Sequence, residues 1–226
     1  MFDIPQSVLI LIPSIIFSFA IFAFSFAIFA WLLKDRNSST RADIADASGF
    51  KYTKESADVL QGYSHFETFT GIECGYDVLV SDSNGCWRCV ADYMIPASED
   101  NRRQTVCMIR SELLELPYFS IQPATWFSRQ TIKLVGKRAA VSFFEYPDDA
   151  DFNNAYHLQA ADVVAVQAVL TNEVRAYLKS QRGRRFYCEA DGQTLLFHTR
   201  TLVRPQKALD MLDESLEILR VFTLGR

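Results

Sequence analysis

The longest apolar run in the chain, residues 8–33, contains no charged side chain and reads VLILIPSIIFSFAIFAFSFAIFAWLL. At about 1.5 Å per residue, a helix of this length exceeds the roughly 30 Å hydrocarbon core of a bilayer. The run therefore predicts one transmembrane helix. It is preceded by a short N-terminus, residues 1–7, and followed by a polar linker, residues 34–49. The remaining residues, 50–226, form the predicted tethered domain.

Positive charges flank this helix on one side only. Residues 1–7 contain Asp3 and no Lys or Arg, whereas Lys34, Arg36 and Arg41 follow the helix. Positive flanks stay cytoplasmic, so we expect a single-pass protein of the bacterial inner membrane, with its N-terminus outside and most of the chain in the cytoplasm. A cleaved signal peptide is the alternative, but the N-terminal segment lacks a basic side chain and the apolar core is too long.

Small residues are patterned along the predicted helix. Four alanines recur at 3-4-3 spacing on one face, and three serines fall on a roughly opposite face: Ala20, Ala23, Ala27 and Ala30, and Ser14, Ser18 and Ser25. Small faces allow helix backbones to approach closely in lipid, and Ser hydroxyls can bond across the interface. The pattern predicts packing against a membrane-protein partner or a second copy. The alternative is a lone anchor in which these residues are incidental.

The middle of the chain has mostly strand-like texture. We expect a helix over residues 50–61 and two strands between residues 66 and 95, joined at Asn84-Gly85, a strong hairpin signal. Further strands are expected at residues 104–110, 117–121 and 141–145, with a helix or turn over residues 124–134 and extended chain over residues 152–158.

The last third predicts a helix, a hairpin and a closing helix. Asp162 is placed to cap a helix over residues 163–180, and Asp191-Gly192 marks the hairpin turn. Pro205 opens a helix to about residue 222, whose predicted buried face comprises Leu209, Leu212, Leu216 and Leu219. The predicted fold class is α+β: a mostly antiparallel sheet with packed helices, either as one domain or as two lobes that meet near residues 116–122.

The segment from residue 116 onward resembles an uncharacterised bacterial family of membrane-anchored proteins with an N-terminal transmembrane helix and an α+β C-terminal domain. The matching stretches are Phe143-Phe144, residues 152–156 (FNNAY), Asp162 with its helix, residues 186–197, and Pro205 with its helix. The resemblance implies the architecture and brings no activity, cofactor or catalytic residue.

Composition and net charge restrict the classes of partner expected for the tethered domain. The 226 residues carry a net charge of −4, and Asp3 is the only charge before residue 34, so the tethered domain is mildly acidic. Without a concentrated basic surface, nucleic acid is not an expected partner. The five cysteines form no regular framework, which suits free thiols in a reducing compartment.

Cys86 and Cys89 form a C-x-x-C pair, a candidate for thiol or metal chemistry. The pair is predicted to begin a strand, in which successive side chains alternate between the two faces. Cys86 and Cys89 would then point to opposite faces and could form neither a disulfide nor a shared metal site. Cys74 and Cys107 could complete four thiolates, but they lack paired zinc-site spacing. We therefore expect small apolar residues of a sheet and no metal or other cofactor.

Other candidates for chemistry are weaker still. The three histidines, His65, His157 and His198, form no ligand motif, and no nucleotide-binding or nucleophile-elbow motif occurs. Arg182, Arg184 and Arg185 could contact a phosphate, but a role at a helix C-terminus is favoured. The acidic loop 147–151 could hold a cation, but it lacks the spacing of a calcium loop.

These patterns give two hypotheses of different class. The first is a single-pass membrane protein whose cytoplasmic domain binds another protein, as an accessory subunit, scaffold or adaptor. The second is a membrane-tethered ligand-binding sensor or enzyme with a cleft that the sequence does not reveal. A pocket with converging polar groups and perturbed pKa values would favour the second hypothesis.

Overall fold

The computed structural model describes residues 24–25, 27–28, 40–69, 71–72, 74–95, 103–124, 142–184 and 186–224. The chain divides into two compact units, residues 1–40 and residues 41–226. In the first unit, Ser25 and Ala27 are helical and exposed. The other five residues predicted to pack against a helix lie outside the described residues: Ala20, Ala23, Ala30, Ser14 and Ser18.

No helix within the described residues is both long and apolar enough to cross a membrane. Nearly all of the apolar run 8–33 lies outside those residues. The transmembrane helix and its orientation therefore stay predictions.

One nine-stranded sheet forms the centre of the second unit. Its strands are β1 (Lys51–Ser56), β2 (Gly75–Ser83), β3 (Cys86–Met94), β4 (Arg103–Ser111), β5 (Leu116–Pro123), β6 (Ser142–Phe144), β7 (Tyr156–Ala160), β8 (Tyr187–Gly192) and β9 (Thr194–His198). The spatial order is β1-β2-β3-β4-β9-β8-β5-β7-β6, and all neighbouring pairs are antiparallel. Strands from both sides of residues 116–122 thus share one sheet, and the predicted α+β class is confirmed.

Helices pack against both faces of this sheet, and among the described residues all of them except the short helix Asp58–Gln61 lie on the same face. They are α1 (residues 40–48), α2 (Asp58–Gln61), α3 (Ala150–Ala155), α4 (Val163–Val169), α5 (Asn172–Ser180) and α6 (Pro205–Leu224). The main core lies between the sheet and all of these helices except α2, and within it Phe119 of β5 stacks on Phe222 of α6. A second core on the opposite face buries Leu60 of α2 with Phe66 and Phe69.

Both predicted hairpins are present. Asn84 and Gly85 connect β2 to β3 with positive φ angles of 54° and 70°, the left-handed conformation that a two-residue type I′ turn requires. Gly192, at the turn from β8 to β9, also has a positive φ of 55°. The first turn therefore has the predicted position. The second lies one residue later than predicted, because Asp191 pairs with Thr194 and the two turn residues are Gly192 and Gln193.

The prediction of a helix over residues 50–61 is wrong for most of its length. Residues 51–56 form edge strand β1, which pairs with β2, and only residues 58–61 are helical. Tyr52 and Thr53 favour an extended backbone, which the pairing with β2 stabilises.

The predicted strand from residue 66 is also wrong at its start, because Glu67–Phe69 is a 3-10 turn that directs Phe66 and Phe69 into the second core.

The linker predicted over residues 34–49 ends early, because residues 40–48 are helical. Arg41, which we had counted as a flanking charge, is fully buried with Ala45. Its guanidinium donates to the carboxylate of Asp92, 2.9 Å away, and to the backbone carbonyls of Asp77 and Val203. Arg41 is therefore a core residue that ties α1 to β2, to β3 and to the segment before α6.

The extended chain predicted over residues 152–158 begins four residues late, at Tyr156. Asp149 caps α3 by accepting from the backbone N–H of Phe152, and Phe152 and Ala155 face the core. The same carboxylate accepts from Arg175 and Lys179 of α5. The acidic loop is thus pinned by two cations. Burial alone would raise the pKa of Asp149, but these bonds lower it below its usual value.

Replacing Asp149 by alanine should destabilise the domain by about 2 kcal/mol, because it removes a helix cap and leaves Arg175, which is almost buried, without its closest anion. Denaturant unfolding measures this change. Asp148→Ala is the matched control, since the Asp148 side chain is 71% exposed and its carboxylate lies 3.7 Å from Arg175. Equal losses in the two variants would contradict the assignment.

The helix predicted over residues 163–180 is two helices. Asp162 caps α4 as expected, by accepting from the backbone N–H of Ala165. Leu170 then leaves helical geometry, with φ −86° and ψ 63°, and Thr171 caps α5. Arg175 donates to the Leu170 carbonyl, 2.9 Å away, which satisfies a backbone group that the break would otherwise expose.

The closing helix α6 forms as predicted, but its buried face is rotated. Leu216 is 44% exposed, Leu209 and Leu219 are only partly buried, and Leu212 alone of the predicted set is fully buried. The observed buried stripe comprises Ala208, Met211, Leu212, Ser215, Ile218 and Phe222. Leucine spacing alone missed the smaller and aromatic residues that complete the stripe.

Candidate functional site: a cleft on the open face of the sheet

A cleft of about 330 Å³ lies on the sheet face opposite the main core, beside the segment that covers the second core. Its floor comes from β3, β4, β5, β8 and β9, because alternate residues of these strands point to this face. The lining residues are Glu67, Thr68, Ile72, Tyr93, Ile95, Gln104, Ser120, Ile121, Gln122, Tyr187, Cys188, Glu189, His198 and Arg200. Its volume is at the lower end of the range for small-molecule sites.

Glu189 of β8 is the buried acid of this cleft. It is 5% exposed, and its carboxylate accepts from the backbone N–H groups of Glu67 and Thr68, at 2.8 and 3.0 Å, and from the Thr68 hydroxyl. Burial raises the pKa of Glu189 above its usual value, although these hydrogen bonds act in the opposite direction.

His198, the last residue of β9, lies next to this acid. Its Nε2 is 3.2 Å from the Thr68 hydroxyl oxygen. Since Thr68 donates its proton to Glu189, its oxygen accepts from Nε2–H, and Nδ1 of the neutral ring carries the free lone pair. Nδ1 is buried and has no hydrogen-bond partner among the described residues. Burial, assisted by the nearby Arg200 charge, lowers the pKa of His198 to about 3.

Aromatic rings hold the imidazole in place. Tyr187 stacks on His198 with ring centroids 5.1 Å apart, and Tyr93 meets it edge-on at 6.4 Å. The Tyr93 hydroxyl donates to Gln104 at 2.9 Å, and burial raises its pKa. The guanidinium of Arg200 lies 4.2 Å from the Tyr187 ring centroid, on the exposed rim.

The order of these groups suits binding better than hydrolysis. In a nucleophilic triad the acid orients the far nitrogen of the histidine, and the histidine takes the hydroxyl proton. Here the acid, Glu189, bonds the hydroxyl itself, and the far nitrogen of His198 has no orienting partner in the described part of the chain. A histidine with a pKa near 3 is also a weak base at neutral pH.

The structure places the two thiol candidates on opposite sides of β3. Cys86 packs in the main core and Cys89 in the second core, as strand alternation requires. Burial raises the pKa of both thiols. Cys107 is also buried, whereas Cys74 is half-buried near Glu55. Among the described residues, no group of three or more His, Cys, Asp or Glu side chains is placed to hold a metal ion.

Three further candidates from the sequence lie outside the cleft: His65, His157 and Arg182. His65 approaches Asp191 at 3.6 Å on the surface, and His157 is half-buried on β7. Arg182 is exposed in the 3-10 turn after α5. The side chains of Arg184 and Arg185 lie outside the described residues.

Sequence reasoning missed the residues that build this cleft. Glu189 lies between the buried residues Cys188 and Ala190, and a charged residue in that position is a usable signal of a buried polar group. The partner of Glu189, Thr68, is about 120 residues away in the chain, in a segment we had predicted to be a strand. Its position depends on the 3-10 turn, which carries no sequence signature.

Comparisons with known proteins give a fold likeness and no family. The chain matches no protein-family model and no curated protein. Its structure is similar to the crystal structure of the mycobacterial trehalose monomycolate transport factor A, TtfA. The TM-score is 0.55 and the identity 12%, over 84% of this chain and 93% of that chain. At this identity the likeness shows that the two chains share a fold.

Proposed function

We propose that this chain is a membrane-tethered ligand-binding protein that carries out no chemistry on its ligand. The observation that carries the proposal is the cleft, in which Glu189, Thr68 and His198 converge in an order that does not form a nucleophile. Burial shifts the pKa values of Glu189 and His198 away from their usual values. Such a combination of concavity, aromatic walls and few polar groups is typical of small-molecule sites.

A fragment screen by ligand-observed NMR on the full chain in mild detergent tests the proposal. We expect hits that are lost in Gln122→Trp, which fills the cleft from β5. Gln159→Trp is the matched control, because it adds the same side chain on neighbouring β7, outside the cleft. Equal hits in both variants, or no hits with the natural chain, would overturn ligand binding in the cleft.

A second proposal is that the protein acts as an accessory subunit, scaffold or adaptor of a membrane process. Two features support it: the small-residue faces of the apolar run, and the similar fold of a protein described as a transport factor. Crosslinking after gentle extraction at native expression tests it. A stoichiometric partner that is lost when Ala20, Ala23, Ala27 and Ala30 become leucine supports the proposal, and a lone monomer contradicts it.

We also propose that the domain faces the cytoplasm of a bacterium, from the positive charges at Lys34 and Arg36. A membrane-impermeant thiol reagent should fail to label Ser39→Cys in intact cells and should label it after permeabilisation. The natural chain, with its own five cysteines, provides the background. Efficient labelling of Ser39→Cys in intact cells would reverse the orientation.

A further inference from the structure

Glu189 is a buried carboxylate that has no cationic partner among the described residues. All three of its hydrogen-bond donors within the described residues are neutral: two backbone N–H groups and the Thr68 hydroxyl. Buried charges in proteins are normally paired, because burial without an opposite charge is costly. The oxygen that accepts only from the Glu67 N–H retains a free lone pair, so one more donor can bind there.

His198 adds a second unfilled acceptor to the same wall. Its Nδ1 is buried and unpartnered in the part of the chain that the structure describes, and the ring is only 4% exposed. The bond from Nε2–H to Thr68 fixes the tautomer, so Nδ1 accepts and does not donate. Among the described residues, this part of the cleft thus offers two hydrogen-bond acceptors, the Glu189 carboxylate and Nδ1 of His198, and no cation that contacts them. These groups favour a ligand that carries hydrogen-bond donors.

The charges around the cleft favour a cation. Two carboxylates, Glu67 and Glu189, and one guanidinium, Arg200, line the described walls, and His198 is neutral. Arg200 and Glu67 are on the exposed rim, where solvent screens them, whereas Glu189 is buried. Tyr93 and Tyr187 line the cleft beside the acid and give it an aromatic, largely apolar wall.

We infer that the cleft binds a small organic cation, whose ammonium group pairs with Glu189 and whose aliphatic or aromatic body packs against Tyr93, Tyr187 and the neighbouring isoleucines. This assignment rests on the proposed ligand-binding function and names its ligand class. An ammonium N–H donates to the carboxylate, and a donor of the same ligand reaches Nδ1 of His198. The ligand thus brings to Glu189 a positive charge that no described residue places in hydrogen-bond contact with it.

Titration calorimetry of the full chain with three compounds of matched shape tests the inference. The probes are 2-phenylethylammonium, 2-phenylethanol and 3-phenylpropionate, which are cationic, neutral and anionic. We expect the ammonium to bind at least tenfold more tightly than the alcohol, and the carboxylate to bind most weakly. The trimethylated ammonium, which lacks N–H donors, should bind more weakly than the primary one. An equal or reversed order between cation and alcohol would overturn the inference.

Glu189→Gln should abolish the preference for the cation over the alcohol. Glu67→Gln is the matched control, because it removes a rim carboxylate of the same cleft, and it should change the preference less than threefold. If Glu189→Gln does not fold, the order of the three probes on the natural chain still decides the inference. Tighter binding of the alcohol or the carboxylate, blocked by Gln122→Trp, would reject the cation and retain the proposed function. No binding by any compound would reject both.

Discussion

Arg41→Met is expected to destabilise the domain by about 3–5 kcal/mol, because it leaves the Asp92 carboxylate buried without its counter-charge. Asp92 is itself fully buried, and it also accepts a hydrogen bond from the Thr105 hydroxyl, 2.6 Å away. Burial raises the pKa of Asp92 despite Arg41. Denaturant unfolding at neutral pH measures the loss.

The structure supplies a control and a compensating variant. Arg220→Met removes an exposed arginine that pairs with Glu217 one helical turn away, and it should leave the free energy of unfolding nearly unchanged because solvent screens the pair. Adding Asp92→Asn to Arg41→Met removes the uncompensated charge and should recover part of the loss. A loss in Arg41→Met no larger than in Arg220→Met would show that α1 does not depend on this ion pair.

The second large effect is a dependence of stability on pH that His198 causes. Its pKa is about 3 in the folded domain and about 6.5 when unfolded. Between these values the unfolded chain binds a proton that the folded chain does not, so stability falls as the pH is lowered below 6.5. The natural protein should lose about 2 kcal/mol through this residue by pH 5, and more towards pH 3.

His198→Gln removes this proton-linked loss, so the stability difference between variant and natural protein should narrow on acidification. Glu189, whose pKa is raised, acts in the opposite direction above pH 4.5, but it is present in both proteins and cancels in the comparison. His65→Gln is the control, since the His65 side chain is 48% exposed. Unfolding curves of the natural protein and both variants, measured from pH 7 to 5, test this expectation. Parallel pH profiles for the natural protein and His198→Gln would contradict a buried neutral histidine.

Local signals in the sequence predicted much of the architecture. Asn84-Gly85 and Asp191-Gly192 located two hairpins, Asp162 located a helix start, and Pro205 located the last helix. Each of these signals acts within a few residues, so a single sequence is sufficient to read them. The errors occurred where tertiary partners decide the outcome. Residues 51–56 are extended because β2 pairs with them, and Thr171 restarts a helix that the apolar periodicity had predicted to be continuous.

Predicting the cleft requires contacts between residues that are even farther apart in the sequence. Glu189 and His198 come from one hairpin, whereas Thr68 comes from a turn near the start of the domain. No spacing rule connects a threonine to a glutamate about 120 residues away. Likewise, Arg41 lies in a polar stretch of sequence that is typical of a linker. It is a core residue because β2 and β3 place the Asp77 carbonyl and the Asp92 carboxylate where its guanidinium can donate to them.

The most direct test of ligand binding in the cleft is the ¹⁵N resonance of His198 Nδ1 in the labelled full chain, with and without a fragment from the screen. The structure assigns Nδ1 a lone pair with no partner among the described residues. Binding in the cleft should move this resonance in the direction of an accepted hydrogen bond, and Gln122→Trp should abolish the change. An Nδ1 resonance that does not move at a saturating fragment concentration would contradict the assignment of the cleft as the binding site.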